Sequence, residues 1–249
     1  MEFGPDMLAL FFALAVLAGG VDAIAGGGGL ILLPALLAAG LPPTAAIATN
    51  KLGSVAGSFA ATLHFVRIQQ LSLRRTWPWA VMAFIGSLLG SYLLTRIDAA
   101  ALERLVPILL IAFALYFAFS PQLGQQDGQQ RLPKYLFIGL VVPLIGCYDG
   151  FFGPGTGSFL AVAFVLLAGF SLLKATAHAK LLNFASNLAA LLFFIYYGGI
   201  EWAVGFSLLA GQLIGGTLGA KLAVRGGQRL IRWMMVTMSL AISLKLLLS

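Results

Sequence analysis

Two lysines, Lys51 and Lys180, lie inside long apolar stretches, and the residues around the first recur around the second at an offset of 129 positions. Reading onward from Lys51 gives Ser54 and Ser58; reading from Lys180 gives Asn183 and Asn187. On a helix the i, i+3 and i+7 positions share one face, so each lysine heads a polar stripe, with Asn50 beside the first. A charge at the centre of a bilayer costs roughly 2.5–3.5 kcal/mol on insertion scales, so a duplicated pair needs a use. The simplest use is to hold an anion.

Each lysine follows a segment that makes a poor helix interior. The first reads Gly-Gly-Val-Asp-Ala-Ile-Ala-Gly-Gly-Gly-Gly over 19–29, and the second Gly-Phe-Phe-Gly-Pro-Gly-Thr-Gly over 150–157. Glycine costs up to about 1 kcal/mol relative to alanine in a helix, so both segments predict a break at membrane depth. Broken backbone cannot face lipid and must be covered by protein or line a watery cavity. After each break comes a short apolar piece, 30–39 or 157–168, about half a bilayer long at 1.5 Å per residue. Such half-helices turn free N–H groups towards the midplane, and Gly28, Gly29, Gly155 and Thr156 stand at those starts as anion ligands. Asp22 and Asp149, just before the breaks, can cap helix ends, neutralise the lysines or exchange protons, since burial raises a carboxyl pKa and a nearby lysine lowers it.

Other polar residues carry weaker signals. His178 stands two residues before Lys180 where the first half has Thr49, and it can contact the ligand, relay a proton or simply bond a neighbour. His64 is expected near a membrane interface. Trp77, Trp79, Trp202 and Trp233 fit an aromatic belt. Scattered glycines such as Gly86, Gly90, Gly211, Gly215 and Gly219 read as helix-packing positions.

The elements that must position these residues are membrane helices. With 60% hydrophobic and 9% charged residues and mean hydropathy +0.99, the chain is no ordinary soluble domain, whose charged share is roughly 25%. The fold class expected is an all-α polytopic membrane protein. Spanning segments are predicted near 7–25, 44–66, 76–96, 100–119, 135–152, 174–197, 202–224 and 229–248. No basic stretch precedes the first of them, so it is expected to be retained as a helix. One cysteine, Cys147, excludes an internal disulfide and cysteine-based metal clusters. The net charge of +7 resides in short loops rather than on one face, which argues against nucleic acid as a partner. No cofactor, metal or catalytic group is called for; the expected partners are a small anion and the bilayer, and a homo-oligomer is compatible with the sequence.

The chain reads as a duplication. Asp22 to Gly26 matches Asp149 to Gly153, Gly40 to Lys51 matches Gly169 to Lys180, and Trp77, Gly86 and Gly90 match Trp202, Gly211 and Gly215, with the offset drifting between 125 and 129. This divides the chain into a first repeat over 1–120, a cytoplasmic linker over 121–134 and a second repeat over 135–249. The basic bias of the loops flips between halves: 67–75 is purely basic while 198–202 carries only Glu201, and 96–104 is balanced while 221–232 is basic. By the positive-inside rule, an odd number of crossings separates the repeats, hence two inverted repeats of about five helical segments each, with broken helices meeting near the midplane and both termini outside.

The pattern can be named as a resemblance. Asp22-Ala-Ile-Ala-Gly-Gly-Gly-Gly-Leu-Ile-Leu-Leu-Pro with Gly40-Leu-Pro-Pro-Thr-Ala-Ala-Ile-Ala-Thr-Asn-Lys51 resembles the first repeat of the TauE/SafE family of sulfite exporters, and Phe152-Gly-Pro-Gly-Thr-Gly157 with Ala175-Thr-Ala-His-Ala-Lys180 resembles its second. It covers essentially the whole chain. The resemblance implies export of sulfite, sulfonates or other organosulfur anions across a prokaryotic cytoplasmic membrane. An inside-negative potential would drive a monoanion outward by about 2.3 kcal/mol per 100 mV, so a uniport needs no second ion.

Three rivals are weaker. An intramembrane aspartyl hydrolase could use Asp22 and Asp149 as a shared-proton pair, but no Gly-x-Gly-Asp or His-Glu-x-x-His accompanies them. A cation carrier through the aspartates is opposed by two lysines in the same site. A purely structural scaffold leaves the paired internal charges unexplained. Transport of another anion, such as a carboxylate or thiosulfate, stays open.

Overall fold

A computed structural model describes residues 3–98, 100–102, 104, 105, 108 and 128–247, with side chains as far as Gly226. The described residues form helices α1 (Pro5–Ala25), α2 (Gly29–Ala38), α3 (Pro43–Arg67), α4 (Leu73–Leu94), α5 (Lys134–Phe151), α6 (Thr156–Leu166), α7 (Leu172–Tyr197) and α8 (Trp202–Leu247). No strand occurs among them. Five of these segments, α1, α4, α5, α7 and Trp202–Gly226 of α8, are long and apolar enough to cross a membrane, while α2 and α6 are short apolar pieces. The segment expected at 100–119 lies largely outside the described residues, as does the first half of the linker, 121–127.

Glycine and proline set the element boundaries. Gly26, with φ 77°, closes α1 by donating its N–H to the Asp22 carbonyl at 2.7 Å. Gly153 and Gly155, with φ 99° and 84°, separate α5 from α6. The half-helices end alike: Gly40 (φ 90°) follows α2 and Gly169 (φ 73°) follows α6, at the repeat offset. These are left-handed positions that a side chain would strain. Within α5 the turn over Phe137–Val141 is π-helical, directly before Pro143, which has no N–H to give to the preceding turn.

One expectation is corrected at the C-terminal end. Where two segments, 202–224 and 229–248, were expected, α8 is one continuous helix of 46 residues. Arg225-Gly226-Gly227-Gln228 contains glycine but no proline, so nothing there removes a helical hydrogen bond or forces a turn. Among the described residues the chain makes no reversal between Trp202 and Leu247.

Close glycine contacts fix how the helices run. Gly211 meets Phe12 and Gly219 meets Gly20, so residue numbers rise together along α1 and α8. The same holds for α3 and α8, where Leu52 meets Gly205 and Gly57 meets Gly216, and for α4 and α5, where Gly86 meets Pro143 and Gly90 meets Cys147. The Ser87 hydroxyl donates to the Ser186 carbonyl at 2.6 Å and Trp79 lies 6.0 Å from the His178 ring, so α4 and α7 also run together. By contrast, Lys51 meets Asn187 while Phe59 meets Phe184, so α3 and α7 are antiparallel. Hence α1, α3 and α8 run one way and α4, α5 and α7 the other. Leu94 and Lys134 stand at opposite ends of the bundle.

These contacts also correct the repeat register. The pair Gly86·Pro143 is mirrored by Gly215·Val16, and Gly90·Cys147 by Gly219·Gly20. The offset along α4 and α8 is therefore 129, as it is for the lysines, rather than the 125 suggested by Trp77 and Trp202. Helix backbones touch here without side chains between them. A Cβ at Gly86 would lie 2.8 Å from the Pro143 Cα, and one at Gly215 would lie 2.9 Å from the Gly20 nitrogen. Gly86→Ala and Gly215→Ala are each expected to destabilise the protein by about 1–3 kcal/mol, read as matched falls in thermal midpoint in detergent.

Two apolar clusters occupy the ends. One gathers Phe65, Trp79, Phe137, Phe164 and Leu172; the other gathers Phe11, Leu33, Leu94, Phe194 and Val204. Trp79 is 7% exposed and stacks on Phe164 at 5.5 Å, so it is a core residue and not part of an aromatic belt; the reason is that α4 turns it inward against α6. Trp77 and Trp202 are exposed, and the side chain of Trp233 lies outside the described residues. The first end carries Arg67, Arg74, Arg75, Arg131, Lys134, Lys174, Lys221 and Arg225, whereas Asp6, Asp98 and Glu201 with Arg96 and Arg104 mark the other.

Candidate functional site

Between the two apolar clusters lie four charged side chains in two pairs, each joining the first half of the chain to the second. Lys51 of α3 donates from Nζ to Asp149 Oδ1 of α5 at 3.0 Å, and Lys180 of α7 donates to Asp22 Oδ2 of α1 at 3.1 Å. Both lysines also bond the backbone carbonyl of the same aspartate. Asp22 and Asp149 sit in the last turns of α1 and α5, at the negative end of the helix dipole, and the Asp22 carbonyl takes the Gly26 N–H as well as the ammonium. Each ammonium therefore sits at the end of the broken helix in the other half of the chain. The lysines are 0% and 1% exposed, which removes the alternative that they reach the headgroups.

Removing two charges from water costs several kcal/mol per ion and is offset only by good geometry and further hydrogen bonds. Around Lys51 that geometry is extensive. Its Nζ also donates to Asn187 Oδ1 at 3.1 Å, and Asn187 Nδ2 donates to both the side-chain and backbone oxygens of Asn183 at 2.8 Å. Asp149 Oδ1 further accepts from the Thr156 hydroxyl at 2.9 Å. Around Lys180 it is thinner: Asp22 Oδ1 takes only a long 3.4 Å bond from the Gly28 N–H.

The two breaks touch. A Cβ on Gly26 would lie 2.7 Å from the Gly157 Cα, one on Gly157 would lie 3.0 Å from Lys180 Nζ, and one on Gly153 would lie 2.7 Å from Lys51 Nζ. Glycine is needed at these positions because backbone or ammonium occupies the place of the side chain. The Ser158 hydroxyl bonds the Ala25 carbonyl across the crossing, and the Tyr148 hydroxyl bridges its own break to the Pro154 carbonyl. Both lysine ends thus lie against the break that precedes α6 and the start of that half-helix.

Of the residues singled out in the sequence, Lys51, Lys180, Asp22, Asp149, Asn183, Asn187, Thr156 and Gly28 come together in this network. Gly29 opens α2 against Pro154, and Gly155 precedes α6. Asn50 is 4% exposed and its Oδ1 has no hydrogen-bond partner among the described residues. Ser54 is half-buried and contributes its carbonyl to the Ser58 hydroxyl. Of the roles open to His178, the structure shows the bond to a neighbour: its Nδ1 bonds the Lys174 carbonyl at 2.8 Å and its ring packs on Phe164 and Phe170, at 5.6 and 5.0 Å. Two residues from Lys180 is about 200° around a helix, so His178 faces away from the pair.

Gln212 is the polar residue that sequence reasoning missed. It is 1% exposed, lies against Gly53 and Gly57, and its Nε2 has no partner among the described residues. Its counterpart at the corrected offset is Ala83, so only the lone amide within an apolar span could have signalled it.

Comparisons with known proteins agree with this architecture. A family model described as "Sulfite exporter TauE/SafE" matches residues 11–246. A "Probable membrane transporter protein" of Haemophilus influenzae is 48% identical over 246 residues, spanning 99% of this chain and 96% of that one. The "Probable membrane transporter protein YfcA" of Escherichia coli K12 is 48% identical over 243 residues, spanning 98% and 90%. No solved structure matches. An all-helical chain with five spanning segments, charged groups at its centre and this extent of similarity is a membrane transporter, and it belongs to the TauE/SafE sulfite exporter family.

Proposed function

We propose that this protein exports a small sulfur-containing anion, such as sulfite or a sulfonate, through the centre where the two lysine–aspartate pairs meet. The observation that carries the proposal is the burial of two ammonium groups, both beside the break that opens half-helix α6. Lys51, Lys180, Asn183, Asn187, Asn50, Ser54, Gly28, Gly29, Gly155 and Thr156 are the proposed ligands, and Asp22 and Asp149 hold the lysines while no anion is bound. An oxyanion with several acceptors suits ammonium, amide, hydroxyl and backbone N–H donors together. The sulfur substrate rests on the family; a carboxylate or thiosulfate would use the same donors.

The carrier is built from two inverted repeats joined by the linker. The support is that α1, α3 and α4 run opposite to their counterparts α5, α7 and α8, with reciprocal contacts. The end bearing eight lysines and arginines is the cytoplasmic one in a prokaryotic cell membrane, which puts the N-terminus of α1 outside. Rocking of one repeat on the other would open the centre alternately to each side.

Flux in proteoliposomes tests this. The Lys51→Ala, Lys180→Ala double variant removes two charge-assisted contacts of about 1.5–3 kcal/mol each, so sulfite or sulfonate flux should fall roughly 100-fold or more. Wild-type flux from a folded double variant would remove the lysines from the mechanism. A screen of sulfite, thiosulfate, sulfonates and carboxylates ranks the substrates.

A further inference from the structure

The two ion pairs occupy equivalent positions in the repeats, yet they are not chemically equivalent. Asp22 has both oxygens engaged, Oδ2 by Lys180 and Oδ1 by the Gly28 N–H, and its side chain is 14% exposed. Asp149 concentrates its bonds on one oxygen: Oδ1 accepts from both Lys51 and Thr156, while Oδ2 is buried with no hydrogen-bond partner among the described residues. Its side chain is 2% exposed. A bare carboxylate oxygen in an apolar interior is the position that gains most from a proton, because protonation removes the buried charge.

We propose that Asp149 takes up a proton at Oδ2 when the anion binds, so that proton and anion cross the membrane together. This rests on the anion-carrier reading above. The centre holds two lysines and two aspartates, whose charges cancel. A monoanion added alone would leave a net negative charge in a dry site. A proton entering with it forms an O–H bond at Oδ2, and Lys51 keeps all three of its protons while its ammonium turns from Oδ1 to the anion. Release reverses both steps, and the loaded centre is neutral throughout. Lys51 from α3 is the charge that faces Asp149 directly. Tyr148 adjoins it on α5, Asp22 of α1 acts on Lys51, and Lys180 of α7 is engaged by Asp22. From α6 comes the Thr156 hydroxyl; from α4 the Ser91 hydroxyl bonds the Gly150 carbonyl of α5, while the Ser87 hydroxyl is held by the Ser186 carbonyl of α7.

A consequence replaces one drawn from the sequence. Proton and monoanion together carry no charge, so the membrane potential does not drive export; the anion gradient and the pH difference do.

The probe is methanesulfonate, a strong-acid anion whose own titration cannot enter the result. In proteoliposomes with the potential clamped by potassium and valinomycin, an interior pH dye should report protons moving with the sulfonate. Flux should not follow the imposed potential, whereas a lone monoanion would be biased roughly 50-fold per 100 mV. Sulfonate flux without proton movement, scaled by voltage, overturns the proposal. Infrared difference spectra of the reconstituted protein supply an arm that needs no transport. A band from a buried protonated carboxyl should appear on adding methanesulfonate, vanish in Asp149→Asn and persist in Asp22→Asn. Its absence in wild type, or its survival in Asp149→Asn, overturns the proposal. Absence of any wild-type flux with the band present would instead strike the anion-carrier reading.

Discussion

Lys51→Met is expected to lower the stability of the purified protein by about 3–5 kcal/mol, because it strands Asp149 as an unpaired charge in a site sealed from water. Methionine keeps the length and apolar stem of lysine, so packing changes little and the effect isolates the lost partner. Adding Asp149→Asn removes the stranded charge and should restore most of the thermal midpoint, since neutral replacements of a buried ion pair are often close to isoenergetic with it. Asp22→Asn should not rescue Lys51→Met, because Asp22 pairs with Lys180. Thermal unfolding in detergent reads all three variants. A Lys51→Met protein that melts like wild type, or equal rescue by either aspartate change, would contradict the crosswise pairing.

Gly26→Val carries the other large effect. The position has φ 77°, which costs a side chain about 1–2 kcal/mol and is worst for β-branched residues. A Cβ there would also lie 2.7 Å from the Gly157 Cα, and backbone cannot rotate away as a side-chain tip can. Strain and overlap act on the crossing of the two breaks, so the folded protein should be largely lost, seen as aggregation in size-exclusion profiles. Gly139→Ala is the control: it lies in the π-helical turn with nothing within 4 Å of its missing Cβ and should change stability by no more than about 0.5 kcal/mol. A well-folded Gly26→Val protein would show that the breaks do not need to touch.

Much of the site was legible because its signals are local. Glycine runs end helices wherever they occur, and Gly26 and Gly153 do so here; the lysines announced themselves as charges in apolar surroundings. What the sequence could not supply was the long-range geometry. Which aspartate meets which lysine depends on how the repeats pack, and nothing local distinguishes a pairing within a repeat from the observed pairing between them. The register along α4 and α8 was misread because conspicuous tryptophans were matched, whereas the close backbone contacts obey the spacing of the small residues Gly86, Gly90, Gly215 and Gly219. His178 was grouped with Lys180 by proximity in the chain, although two residues along a helix is nearly the opposite face. The polar, glycine-bearing stretch Arg225-Gly226-Gly227-Gln228 resembles a turn in sequence, yet α8 continues through it, because without proline glycine alone does not stop a helix.

The central claim, that the paired lysines and aspartates form one anion-binding centre, is tested most directly by ligand-induced stabilisation. Sulfite or methanesulfonate at 100 times its dissociation constant should stabilise the wild-type protein by about 2.7 kcal/mol. The neutralised pairs Lys51→Met with Asp149→Asn, and Lys180→Met with Asp22→Asn, remove the binding charge while sparing the fold, so each should lose that response. Stabilisation that survives in both neutralised proteins would place the anion elsewhere and contradict the account.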